Sequence, residues 1–222
     1  MSFVRSFSTR FLAVGAAVAL IAFPILVVTL NIIQRDQYSP VREAMSNLAL
    51  GRAGWLMAVA FSALAVGSIL LAVTLRRSVR RAVVAPILLT VVGLLTFVSA
   101  VFHTDADGAA ATLHGEIHMA AGITTFLLLV ATIAASSLSF RRSAAWRRFS
   151  LPSMIWAVVA FGTFFLVPAF PNAYFGVAQR IFVGTCLAWM VLTAGLAARK
   201  SPAGGQRRLA GNVNAPPNAS AV

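Results

Sequence analysis

The sequence predicts an all-α, polytopic membrane protein: a bundle of six transmembrane helices with both termini in the cytoplasm. Three observations predict it. Of the 222 residues, 59% are hydrophobic and 10% charged, against roughly 45–50% apolar and about 25% charged in a soluble domain. Six apolar segments each approach the about 20 residues that a helix needs to cross a hydrocarbon core about 30 Å thick, at about 1.5 Å per residue. The basic residues gather in alternate joints between those segments. No segment alternates as a barrel strand does, and within lipid only helices and closed barrels pair every backbone group.

The first segment, 11–33, follows a short basic lead, Arg5 and Arg10, that mimics a secretory signal. Its apolar stretch is longer than a signal's core and no small-residue cleavage site follows it, so it reads as a helix. The others run approximately over 54–75, 82–102, 117–138, 151–170 and 181–197. Pro24, Pro86, Pro152 and Pro168 are tolerable as kinks or caps where neighbouring helices re-satisfy the backbone. The chain thus divides into a cytoplasmic N-terminus (1–10), a transmembrane domain (11–198) and a cytoplasmic tail (199–222). Rich in small, polar and proline residues, the tail has almost nothing to bury and is expected to be disordered.

Orientation follows from the arginines, because basic residues in short loops stay on the cytoplasmic side. Arg5 and Arg10 precede helix one; Arg76, Arg77, Arg80 and Arg81 join two to three; Arg141, Arg142, Arg147 and Arg148 join four to five; Arg199, Lys200, Arg207 and Arg208 follow six. The opposite loops hold only Arg35, Arg42, Arg52 and Arg180, with all five acids: Asp36, Glu43, Asp105, Asp107 and Glu116. Topology anchoring therefore explains the clusters RRSVRR and RRSAAWRR, which otherwise look like nucleic-acid or anionic-lipid patches. In a chain this apolar the net charge of +13 points to the lipid bilayer, with anionic lipids at the cytoplasmic face, and not to nucleic acid. The single cysteine, Cys186, excludes an intrachain disulfide and any Cys-based metal motif.

Residues with catalytic potential fall on the outer side. His103, His114 and His118 lie with Asp105, Asp107 and Glu116 in HTDADGAAATLHGEIH, which joins helices three and four. If helix four starts near Thr112, His114 and His118 share one face and Glu116 points away. The three histidines are candidate zinc ligands, Asp105 completing a tetrahedral set if the loop folds back. Asp105 or Glu116 would then act as general base on a zinc-bound water. Ser99 stands four residues before His103, so the order Ser-x-x-x-His, Asp, His-x-x-x-His resembles the ceramidase and progestin-receptor-like membrane hydrolases. Those have seven helices and place their last His pair on a remote helix. The alternatives are that the histidines hydrogen-bond to loops, Asp107-Gly108 makes a turn and Asp105 or Asp107 caps a helix or pairs with an arginine, or that the histidines serve a proton-linked role.

Loop one adds Tyr38, Glu43, Ser46 and Asn47, and Arg180 stands alone among apolar neighbours at the start of helix six. Its outer position runs against the positive-inside trend, so it is expected either to snorkel or to pair with an acid, Asp105 or Glu43, with Asp105 the favoured partner. Gly115 and Gly122, two turns apart, are expected to let another backbone approach helix four.

Tyr38-Ser39-Pro40, Met45-Ser46-Asn47-Leu48, Gly54-Trp55-Leu56, Phe102-His103-Thr104-Asp105, Thr112-Leu113-His114-Gly115, Ile117-His118, Gly176 and Gln179-Arg180-Ile181 together resemble the family called domain of unknown function 998. The likeness covers about residues 11–197. It implies a six-helix prokaryotic membrane protein without an assigned reaction, distantly similar to the Frag1, DRAM and Sfk1 group. It marks Ser46, Asp105, His114, Gly115, His118 and Arg180 as the family's polar positions. Asn47, His103 and Gln179 depart from the pattern, where an acid, a proline and a glutamate are usual.

The function expected first is non-catalytic: an outer polar pocket formed by Ser46, Asp105, His114, His118 and Arg180 that binds a lipid headgroup, a small ligand or a partner. A zinc-dependent hydrolase at the outer interface is the second expectation. A small transporter comes third, since it calls for ionisable residues near the bilayer midplane or broken helices and only Asn31, near one end of helix one, comes close.

Overall fold

The computed structural model describes residues 2–79, 82–169 and 173–200, with side chains from residue 9 onward. Six helices account for it: α1 (Ser2–Ile33), α2 (Trp55–Ser78), α3 (Val84–Val101), α4 (Leu113–Arg141), α5 (Arg147–Ala169) and α6 (Phe175–Lys200), with one short 3-10 helix, Met45–Ala49, in the loop after α1. All six are long and apolar enough to cross a membrane, and the described residues contain no strand. Several helices outrun their expected spans. The helix α1 starts at Ser2, ahead of its expected span, and α6 continues through Lys200 into what composition assigned to the tail. Backbone hydrogen bonding carries a helix past the last apolar side chain until a cap or breaker intervenes. The rest of the predicted tail, and Arg80 and Arg81, lie outside the described residues.

Each helix packs on its sequence neighbours, and α6 returns to α1, so the bundle closes into a ring. Both described ends, α1's start and α6's finish, lie at the arginine-bearing end. The core face of α1 reads Ala13, Ala16, Leu20, Phe23, Val27 and Leu30, all buried, at alternating spacings of three and four. Small residues set the closest approaches: a Cβ at Gly67 would stand 2.8 Å from Leu20 Cγ, and one at Gly93 2.7 Å from Ile69 Cγ1. At the arginine-bearing end, buried Trp146 stacks on Phe140 with ring centroids 4.7 Å apart, and Lys200 Nζ lies 4.2 Å above the Trp146 ring while donating to the Ala145 carbonyl. A buried hydroxyl network reinforces that end, with Ser137 and the Trp189 indole N–H both donating to Ser153 Oγ at 2.7 and 2.9 Å.

Candidate functional site

At the histidine-bearing end, the loop over 34–54 is held down by side chains from the helices it crosses. Buried Gln34, one residue past α1, donates from Nε2 to the carbonyls of Leu48 and Arg52, each at 2.8 Å. From α6, Arg180 donates to the carbonyls of Pro40, Glu43 and Gly176 at 2.8, 3.2 and 3.0 Å, and to the Tyr38 hydroxyl. Tyr38 donates in turn to the Glu43 and Ala44 carbonyls. Met45 N donates to Gln179 Oε1 at 2.8 Å, and Val177 N to the Val41 carbonyl. The loop backbone lies so close to the first turn of α6 that a Cβ at Gly176 would stand 2.5 Å from two loop carbonyls. Burial pushes the Tyr38 phenol above its usual 10, against the opposing pull of the Arg180 guanidinium.

The expected Arg180–Asp105 pair does not form. Arg180 is consumed by loop-one carbonyls, and α3 and α6 do not touch in the ring. Glu43 contributes its carbonyl and not its carboxylate, which accepts from Ser39 N at 2.7 Å. Arg35 and Asp36 form an ion pair at 3.7 Å whose side chains are both exposed.

Asp105 sits on the N-terminus of α4. Its Oδ2 accepts from Thr112 N at 2.8 Å and its Oδ1 from Thr112 Oγ1 at 2.7 Å, while Thr112 Oγ1 caps the helix by accepting from Gly115 N. These bonds hold the carboxyl below its usual 3.8. They also explain Gly115, whose Cβ would stand 1.9 Å from Asp105 Oδ2. The close approach expected there is therefore to a carboxylate, not to a second helix. Asp107 accepts from buried Asn47 Nδ2 at 3.2 Å, which ties the two loops together, and Gly108 closes a turn over 106–109 at φ 79°.

The three histidines do not converge. His118 is buried at 8% exposure, with Nδ1 2.8 Å from the Phe102 carbonyl and its ring edge-on to Phe61. His114, one turn nearer the helix start, is exposed and leans on the Phe102 ring, and His103 is exposed in the loop past α3. Among the described residues no three His, Cys, Asp or Glu side chains form a set able to hold a metal ion. The zinc set of His103, His114 and His118 is thus not assembled, because the loop over 102–112 is braced on Thr112 and Asn47 instead of folding its histidine back. Ser99 bonds to the Leu95 carbonyl within α3, away from His103, and Glu116 is exposed in the first turn of α4.

What does assemble is a cavity of about 610 Å³ between α4, α5 and the two loops. Gly115, His118, Met119, Gly122, Ile123 and Phe126 line it from one face of α4, with Phe164, Val167 and Phe175 opposite. Ser46, Asn47, Asp105, Asp107 and Gln179 supply its polar wall. Met119 and Ile123, 57% and 51% exposed, put its edge on the lipid-facing surface of α4. A Cβ at Gly122 would meet nothing within 4 Å, so this glycine borders the cavity and is not a packing contact as expected. Beneath lies a smaller space of about 90 Å³ that shares Ser46, His118 and Gln179 and reaches Ser99 and Thr125. Of the residues expected in the pocket, Ser46, Asp105 and His118 line it; His114 and Arg180 do not. Sequence reasoning missed Gln34 and the aromatic wall, for which periodicity gives no signal.

Six membrane-length helices closed into a ring, polar at one end and arginine-rich at the other, define a multi-pass membrane protein. This chain belongs to the family Protein of unknown function (DUF998), whose model matches residues 8–196. No curated protein and no solved structure matches it. The motifs on which the resemblance rests fall on the contacts just described: YSP and MSNL in the loop over 34–54, QRI on its clamp, and TLHG with IH on α4 beneath Asp105.

Proposed function

We propose that this protein binds a membrane amphiphile at its histidine-bearing end, the head among the loops and the chain against α4 and α5. The observation that carries the reading is the two-sided cavity: carboxylates, amides and a histidine on one wall, aromatic and aliphatic side chains on the other, and an edge reaching the lipid-facing surface. Concave sites of roughly 300–1,000 Å³ with a few placed polar groups on an apolar lining are the usual form of a ligand pocket. Binding also fits the polar residues outside the wall, since Arg180 and Gln34 are engaged in holding the loop and are not poised for chemistry. Hydrolysis by a zinc-bound water has no convergent ligand set to use among the described residues. Transport lacks a buried Asp, Glu, Lys or Arg among them.

The positive-inside rule assigns the arginine-bearing end to the cytoplasm and the pocket to the outer face of the cell membrane. A cysteine at Ala109 should then react with an impermeant thiol reagent in intact cells and one at Ser143 should not; the opposite pattern would invert this assignment. A groove of about 600 Å³ bordered by Arg141, Arg147 and Ser150 favours anionic lipid headgroups at the inner face.

Native mass spectrometry of the protein released from nanodiscs tests the pocket. The wild type should carry a bound amphiphile and Gly122→Phe, which fills the cavity from a position free of neighbours, should not. Equal retention by the two would refute the reading.

A further inference from the structure

We propose that the head taken by this pocket is a primary ammonium, an assignment that rests on the binding reading above and narrows it. The described residues of the lining include two carboxylates, Asp105 and Asp107, and no Arg or Lys; Arg180 turns Nη1 to the carbonyls of Pro40, Glu43 and Gly176 and Nη2 to the Tyr38 hydroxyl. Each carboxylate oxygen offers two lone-pair sites, so Asp105 still accepts after its two bonds from Thr112, and Asp107 after its one from Asn47. His118 supplies an independent pointer. A carbonyl only accepts, so Nδ1 carries the proton donated to Phe102, and in the neutral ring Nε2 is left as a bare acceptor. That nitrogen belongs to a side chain more than nine-tenths buried that lines the cavity, and the hydrogen bond found for this ring among the described residues is the one at Nδ1. Against these acceptors stand neutral donors alone, the amide N–H₂ groups of Gln179 and Asn47 and the hydroxyls of Ser46 and Thr104. Three N–H donors on a positive centre match such a wall, an uncharged hydroxyl matches it in part, and an anionic head meets like charge.

The test uses the full chain in phosphatidylcholine nanodiscs, titrated with oleylamine, oleyl alcohol and oleyl phosphate, which share one chain and differ in head. Binding is read by native mass spectrometry above the background of Gly122→Phe. Oleylamine should bind about tenfold more tightly than oleyl alcohol, the worth of one charge-assisted hydrogen bond, and oleyl phosphate should not exceed background. Asp107→Asn should reduce oleylamine to the level of the alcohol; Asp107 is exposed and the new amide oxygen can still accept from Asn47, so this variant keeps the tie between the loops. His118→Asn, whose amide can still donate to the Phe102 carbonyl, should weaken both ligands. Oleylamine binding no better than the alcohol, or oleyl phosphate binding best, would overturn the ammonium assignment and leave the pocket standing. If none of the three exceeds background, both proposals fall.

Discussion

The clamp on the loop over 34–54 makes a quantitative prediction. Arg180→Met deletes three bonds to carbonyls and one to Tyr38. A charge-assisted hydrogen bond contributes about 1.5–3 kcal/mol net when buried. Here the Pro40 carbonyl is exposed and regains water, and the Gly176 carbonyl lies inside α6, so the loss concentrates on Glu43 and Tyr38. We expect destabilisation of about 2–3 kcal/mol for Arg180→Met, about 1–1.5 kcal/mol for Tyr38→Phe, and a coupling of about 1 kcal/mol between them, because they share one bond. Thermal unfolding of the two single variants and the double variant in one detergent measures all three values. A parallel cycle of Arg180→Met with Asp105→Asn should be strictly additive, since the two share no partner. Coupling in the second cycle and none in the first would refute this account of Arg180 and restore the ion pair.

The glycines of α2 and α4 should part company: Gly122→Leu is expected to keep wild-type folded yield, while Gly67→Val, driven into Leu20, should lose about 1–3 kcal/mol by overpacking, both read by size-exclusion yield and thermal unfolding. Gly115→Ala should expel the Asp105 carboxylate from the start of α4, so its damage should shrink when Asp105→Gly removes the clash, a rescue that unfolding of the double variant would reveal. Tyr38 should ionise above 10 in a tyrosinate absorbance titration of this two-tyrosine chain, and higher still in Arg180→Met, which removes the lowering guanidinium. Because the folded value lies above the unfolded one, the stability Tyr38 contributes is intact below pH 10 and lost as pH rises through the folded value.

How much of this the sequence discloses differs by level. The spans are legible because membrane thickness converts directly into apolar length, and the helix ends drift only where polar residues prolong a helix already nucleated. Arg180 is legible as a tethered residue, since it breaks the charge asymmetry, but its partners are not: they are carbonyls, which every residue carries. Gly115 shows the same division. Its need for space is visible, whereas the occupant of that space is a side chain from a loop seven residues upstream of the cap at Thr112. The histidine spacing suggested a metal because zinc sites use such spacings, yet ligation requires the loop to return His103 to α4. The bonds of Asp105 and Asp107 to Thr112 and Asn47 brace that loop in another arrangement. The aromatic wall of the pocket is silent in the sequence, because Phe164 and Phe175 look like any other apolar residues of a span.

The central claim is that one end of this bundle holds an amphiphile between α4 and α5, and photo-crosslinking tests it most directly. A lipid analogue carrying a diazirine in its acyl chain, reconstituted with the protein and irradiated, should give adducts concentrated on Met119, Ile123 and Phe164 that disappear in Gly122→Phe. Adducts spread evenly over lipid-facing positions such as Val18, Ile25 and Leu94, and unchanged by that substitution, would contradict the account.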